Sequence, residues 1–131
     1  MNGKNYIPKN TCDVAAIERL KRLPFESVRE DVPELLEWGQ DAHWDVASGV
    51  YEYLAPCINE ITSEILFVLN SNDGMWKYFL IYGLIGRSKT RLNLALIDVL
   101  RRLAEQPSRI DAEDGVDEAA RDILANKSLC G

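Results

Sequence analysis

Apolar residues recur along this chain at intervals of three and four, the spacing of helices that bury one face. Asp13 is placed to cap a first helix, with Val14, Ile17 and Leu20 on one side, and Pro24 interrupts it. Phe25 to Glu30 adds a turn. Asp31 and Pro33 then open the short helix Glu34-Leu35-Leu36-Glu37-Trp38, which Gly39 is expected to close as a left-handed cap. Asp45 starts a helix with Val46, Val50 and Leu54 in line, ending near Pro56. Ile58, Ile61, Ile65 and Leu69 make the next stripe, and Asn70-Ser71-Asn72-Asp73-Gly74 is turn chemistry. Trp76, Phe79, Leu80 and Leu84 follow on one side of a helix that Gly86 can end. Thr90 is expected to begin a long helix striped by Leu92, Leu96, Val99 and Leu103; Leu94 and Ile97 add a second apolar side, which predicts burial between layers. Residues 106–115 read as a polar loop, and Val116, Ala119, Ala120, Ile123 and Leu124 as a last amphipathic helix. No stretch alternates with a period of two, so no strands are expected.

An echo organises these elements. Asp41-Ala42-His43-Trp44 returns as Asp73-Gly74-Met75-Trp76, shifted by 32 residues, each copy after an apolar run and before a helix. Such a period marks stacked helix pairs. The predicted fold is all-α, with HEAT-like stacked pairs in an α-α superhelix of about seven helices. Residues 33–55, 58–86 and 90–127 form the pairs, and the first helix covers one end. Residues 1–11 are expected to be an arm or loop, 12–127 one helical-repeat domain, and 128–131 a tail.

Composition narrows the class. One domain is the natural count for 131 residues, and 47% hydrophobic with 27% charged residues is ordinary for a globular protein. The apolar run Ile65 to Leu69 is too short to span a bilayer, so no membrane partner is expected. The first residues lead into no apolar block, which reads as no signal peptide. Cys12, Cys57 and Cys130 are odd in number and widely spaced, fitting a reducing, cytoplasmic setting. A net charge of −6 makes nucleic acid a poor partner. Arg87, Lys89, Arg91, Arg101 and Arg102 gather before a run of acids from Glu105 to Asp122. They read as two solvated surfaces, or as a site for an acidic partner or small anion.

Candidate chemistry is sparse. Asp41 and Asp73 each lie three residues before a tryptophan and are expected to cap, contributing about 1 kcal/mol each. His43 stands alone, without the spaced partners that metal ligation needs, so neither metal nor cofactor is expected. Cys57 follows Pro56 near a helix start, where a thiol pKa can fall, although a small buried residue is the simpler role. Gly83 to Thr90 lacks the phosphate-loop pattern. An enzyme built on Asp41, Asp73 and His43 is the least favoured reading. Gly49 inside a helix predicts close approach of a neighbouring helix. Trp44 and Trp76 recur in register, as inter-repeat core or as anchors for a partner. Tyr51, Tyr53, Tyr78 and Tyr82 share their helices. The candidate partner-binding set is Trp44, Tyr51, Trp76, Lys77, Tyr78, Arg87 and Arg91.

The string Pro33 to Trp38, then Gln40 to Ala47, together with Asp73-Gly74-Met75-Trp76-Lys77-Tyr78, resembles an uncharacterised, mainly bacterial family, the domain of unknown function 5071 family. The resemblance runs from about residue 6 to residue 126 and takes in Pro8-Lys9 and Val116 to Ala120. Gly39 and Asp45 depart from the family pattern, where Leu and Pro are usual. The resemblance implies a single HEAT-like helical domain and transfers no catalytic residues. The expectation for function is a non-enzymatic protein–protein interaction module that binds a protein or peptide. The alternative is an immunity-type antitoxin that blocks a bacterial toxin, whose basic surface an acidic chain would suit.

Overall fold

The computed structural model describes residues 4–130, with side chains to residue 126; Met1, Asn2 and Gly3 of the expected arm, Gly131 of the expected tail and the Cys130 side chain lie outside them. Among the described residues all regular structure is helical. Helices α1 (Val14–Leu20), α2 (Phe25–Val28) and α3 (Val32–Glu37) lead into α4 (Asp45–Leu54). Then come α5 (Thr62–Leu69) and α6 (Gly74–Leu80), the latter running straight into a π-helical turn at Ile81–Ile85. Last are α7 (Leu94–Glu105), α8 (Arg109–Glu113) and α9 (Val116–Cys130), so the final helix continues through three of the four residues expected as a tail.

The predicted pairs pack as pairs: α3 on α4, α5 on α6, and α7 on α9 most extensively. Between pairs, α5 meets α7 among the first helices. The second helices meet one another through the π-helical turn, which α4 and α9 both contact, and through α6 on α9. α1 lies across α4, and there Gly49 behaves as expected: a Cβ on it would sit 2.4 Å from Ile17 Cγ2. Ile58, Ile61, Ile65 and Leu69 are all buried, joined by Leu80, Leu84, Leu96, Leu100 and Ala120 in one continuous core. The described part of the expected arm is strapped down. Lys4 Nζ and the Tyr6 hydroxyl bond the Asp31 carboxylate at 2.7 and 2.5 Å, and Ile7 is buried.

Several local expectations need correction. Gly39 is not a left-handed cap; among the described residues only Gly115 has positive φ, at 80°. Gly39 is required by packing, because a Cβ there would lie 2.3 Å from Tyr51 Cζ. The long helix starts at Leu94 rather than Thr90, since the Asn93 side chain, not Thr90, accepts the Leu96 N–H at 3.0 Å. Leu94 is 76% exposed, so the predicted second buried side is absent at that position; Val14, at 53%, is likewise outside the core. Residues 106–115 are not a plain loop. Ser108 accepts the Asp111 N–H at 3.1 Å and caps α8, and Gly115 turns the chain into α9.

Candidate functional site

The apolar run Ile65 to Leu69 is five residues long and circles the whole helix axis, so α5 cannot bury all of it. Ile65, Val68 and Leu69 turn inward and Phe67 is left 74% exposed. Phe67 stands at the lip of a cleft of about 320 Å³ between α3 and α5. From α3 come Pro33, Leu36 and Glu37, one face at spacings of three and four; from α5 come Ser63, Glu64, Phe67 and Val68. Leu36 and Val68 are core residues and make the floor. Trp76 completes the lining.

Trp76 is positioned from its own turn. The Ser71 hydroxyl accepts the Asp73 N–H at 3.3 Å, and Asp73 caps α6 by accepting the Trp76 N–H at 3.0 Å. The Trp76 ring is half-buried, and its Nε1 is fully buried without a hydrogen-bond acceptor among the described residues. The indole lies beside the Tyr51 phenol, whose hydroxyl donates to the Gly39 carbonyl at 2.6 Å. Burial drives the Tyr51 pKa far above the ordinary phenol value. The cleft is therefore shaped by rigid core groups beneath it.

The remaining predicted partner-binding residues are not brought to this cleft, and two are not on the surface at all. Tyr51 is 2% exposed, gripped between Gly39 and Gly83; a Cβ on Gly83 would approach Tyr51 Cδ2 to 2.6 Å. Lys77 is 4% exposed and pairs bidentately with buried Asp111, at 2.9 and 3.0 Å. Both were expected as contact residues and both are interior. Burying a long cation is tolerable only because Asp111 meets it, which is what α8 contributes to the fold. Tyr78 is half-buried, its ring edge-on to Phe79 and Tyr82 at 5.7 and 5.1 Å, and it lies against Gly115. Trp44 is half-buried against the core, edge-on to Trp38 at 6.0 Å. Arg87 donates to the Ser48 carbonyl at 2.9 Å and Arg102 bonds Asn70, so these two members of the arginine cluster are held by separate anchors. Arg91 is exposed, and its carbonyl accepts from Asn59.

The two echo turns differ in detail. Asp73 caps as expected, but Asp41 accepts the N–H of His43, two residues on, at 2.8 Å and pairs with its Nδ1 at 2.9 Å; no side chain caps α4. The His43 N–H is the main reason the Asp41 carboxyl is held below its usual range. Burial pushes the Cys57 thiol up, away from reactivity, contrary to the lowered pKa considered for it. Among the described residues no three His, Cys, Asp or Glu side chains group as metal ligands, and no helix is long and apolar enough to cross a membrane. Phe67, Pro33 and Leu36 were missed as site residues, although the unbroken apolar run signalled that one large side chain on α5 must face outward.

Residues 6–124 match the family described as Domain of unknown function (DUF5071), and the chain belongs to that family. No curated protein matches it.

Proposed function

We propose, taking that family membership as the starting point, that this protein is a non-enzymatic interaction module of the cytoplasm. In this reading a HEAT-like superhelical stack receives a partner protein or peptide in the α3–α5 cleft. The observation that carries the reading is Phe67, 74% exposed at the edge of a cleft with an apolar floor. Isolated surface apolar residues are commonplace, but a large ring beside a preformed apolar recess is how interfaces seat their anchors. At about 320 Å³ the cleft has room for one or two side chains and is at the small end of ligand pockets. Its walls are short helices resting on the core, so little ordering is needed on binding.

The test is affinity capture of tagged protein from its native cytoplasm, comparing wild type with Phe67→Asp and with Val14→Asp. Val14 is also exposed but lies on α1. A stoichiometric partner retained by Val14→Asp and lost by Phe67→Asp is the expected result. Identical eluates from all three proteins would overturn the assignment of the cleft. Should the partner be a basic toxin, the narrower reading as an immunity-type antitoxin follows, which the net charge of −6 favours.

A further inference from the structure

Charge is unevenly distributed around the cleft. Glu37 on α3 and Glu64 on α5 line it from opposite walls, with Ser63 donating to Glu64 at 3.3 Å. Glu60 and Glu26 extend the acidic field beyond α5, close enough to act on Arg29. Arg29, which feels Glu64 of the cleft wall as well as Glu60 and Glu26, is a cation already engaged: both its Nε and a terminal nitrogen bond Glu26 at 3.3 Å, and its guanidinium rides 4.8 Å above the Phe25 ring. An apolar floor flanked by carboxylates therefore faces an incoming partner.

We propose that the cleft takes a short basic amphipathic helix, with one or two large apolar side chains seated against Phe67 and Trp76 and Lys or Arg directed at Glu37 and Glu64. This rests on the cleft being the docking site and adds the chemistry of its occupant. α3 and α5 have six and eight residues, so each wall is about 9–12 Å long. Anchors one helical turn apart, at i and i+4, match that length, the mode by which grooves read amphipathic helices. A cation beside each anchor is met by a carboxylate on either wall. An acidic helix would set like charges together on both walls, which costs affinity and selects against such partners.

The experiment is fluorescence anisotropy on the full chain, using three labelled 15-residue helical peptides at low salt. All three carry Leu at i and i+4; the flanking positions are Lys in one, Gln in the second and Glu in the third. The Lys peptide is expected to bind at least about tenfold more tightly than the Gln peptide, and more weakly as salt rises. Phe67→Asp is expected to lose it even though the substitution adds negative charge. The double variant Glu37→Lys/Glu64→Lys should weaken binding about tenfold. Glu18→Lys/Glu118→Lys, with the same net charge and both sites exposed away from the cleft, should leave binding nearly unchanged. Equal binding of the Lys and Gln peptides, both lost in Phe67→Asp, would overturn the basic partner and keep the docking site. Equal weakening by the two double variants, with Phe67→Asp still binding, would reduce the effect to diffuse attraction and overturn the proposal. Failure of all three peptides to bind would overturn the proposal and the docking site together.

Discussion

Replacing Gly39 by alanine probes the central packing argument. Gly39 has no positive φ, so alanine can adopt its backbone and should gain about 0.4–1 kcal/mol from a less free unfolded chain. The new Cβ would, however, lie 2.3 Å from both Cζ and the hydroxyl oxygen of Tyr51 and 2.8 Å from Cε1. The ring cannot retreat, because Gly83 holds its other edge at Cδ2 and Cε2. Overpacking of this kind costs about 1–3 kcal/mol. The net expectation is a loss of about 1–2 kcal/mol, lowering Tm by about 4–7 °C for a chain of this size. In a Tyr51→Leu background the obstacle is gone, and Gly39→Ala should become neutral or stabilising. Urea unfolding of the four proteins, followed by far-ultraviolet circular dichroism, then gives a coupling of about 2 kcal/mol. Equal destabilisation by Gly39→Ala in both backgrounds would refute the explanation, since the cost would then lie in the backbone and not in the ring.

Lys77→Met strands the Asp111 carboxylate in the interior and should cost about 3–5 kcal/mol, whereas Lys77→Met/Asp111→Leu should recover most of it; urea midpoints distinguish the two, and an equally unstable double variant would refute the pair's role. Burial alone would raise the Asp31 carboxyl, but hydrogen bonds from Lys4 and Tyr6 outweigh it and hold the group below its usual range. With the folded value the lower one, its stabilisation is complete above about pH 5 and is lost as pH falls through the folded value. Asp31→Asn should therefore flatten the acid limb of stability measured from about pH 6 to pH 2, and an unchanged limb would contradict the strap. Phe67→Asp should move stability by no more than about 0.5 kcal/mol, as for other exposed positions; a large drop in Tm would show that Phe67 is packed. Gly49→Leu should destabilise strongly by driving a side chain into Ile17, and unchanged thermal unfolding would contradict the close approach of α1 to α4.

Helical phase was legible wherever one stripe faced one core: Val46, Val50 and Leu54, or Ile58, Ile61 and Ile65, fell inside as their spacing required. The pairing of α3 with α4 and of α5 with α6 followed from the echo. Phase does not say which neighbour a polar residue will meet. Lys77 sits beside Trp76 in sequence, and nothing local reveals a carboxylate 34 residues away in a segment that reads as loop. Tyr51 looks like a surface aromatic until two glycines, 12 residues before and 32 after, are seen to make room for its ring. Asn93 and Ser108 were readable as caps, but the apolar stripe beginning at Leu92 and the polar run after Gln106 masked them. At the cleft the echo points to Trp76, whereas the apolar run on α5 says only that some large side chain faces outward and not that it is Phe67.

The buried ion pair makes Lys77 a clock. Acylating reagents attack amines that reach water, and Lys4, Lys9, Lys21 and Lys89 all lie outside the core. Lys77, buried and paired with Asp111, becomes available only through an opening that exposes it, so its rate of labelling would measure how often such openings occur. Read by mass spectrometry in intact cells, this one amine would report local opening of a folded protein in place, without any engineered probe.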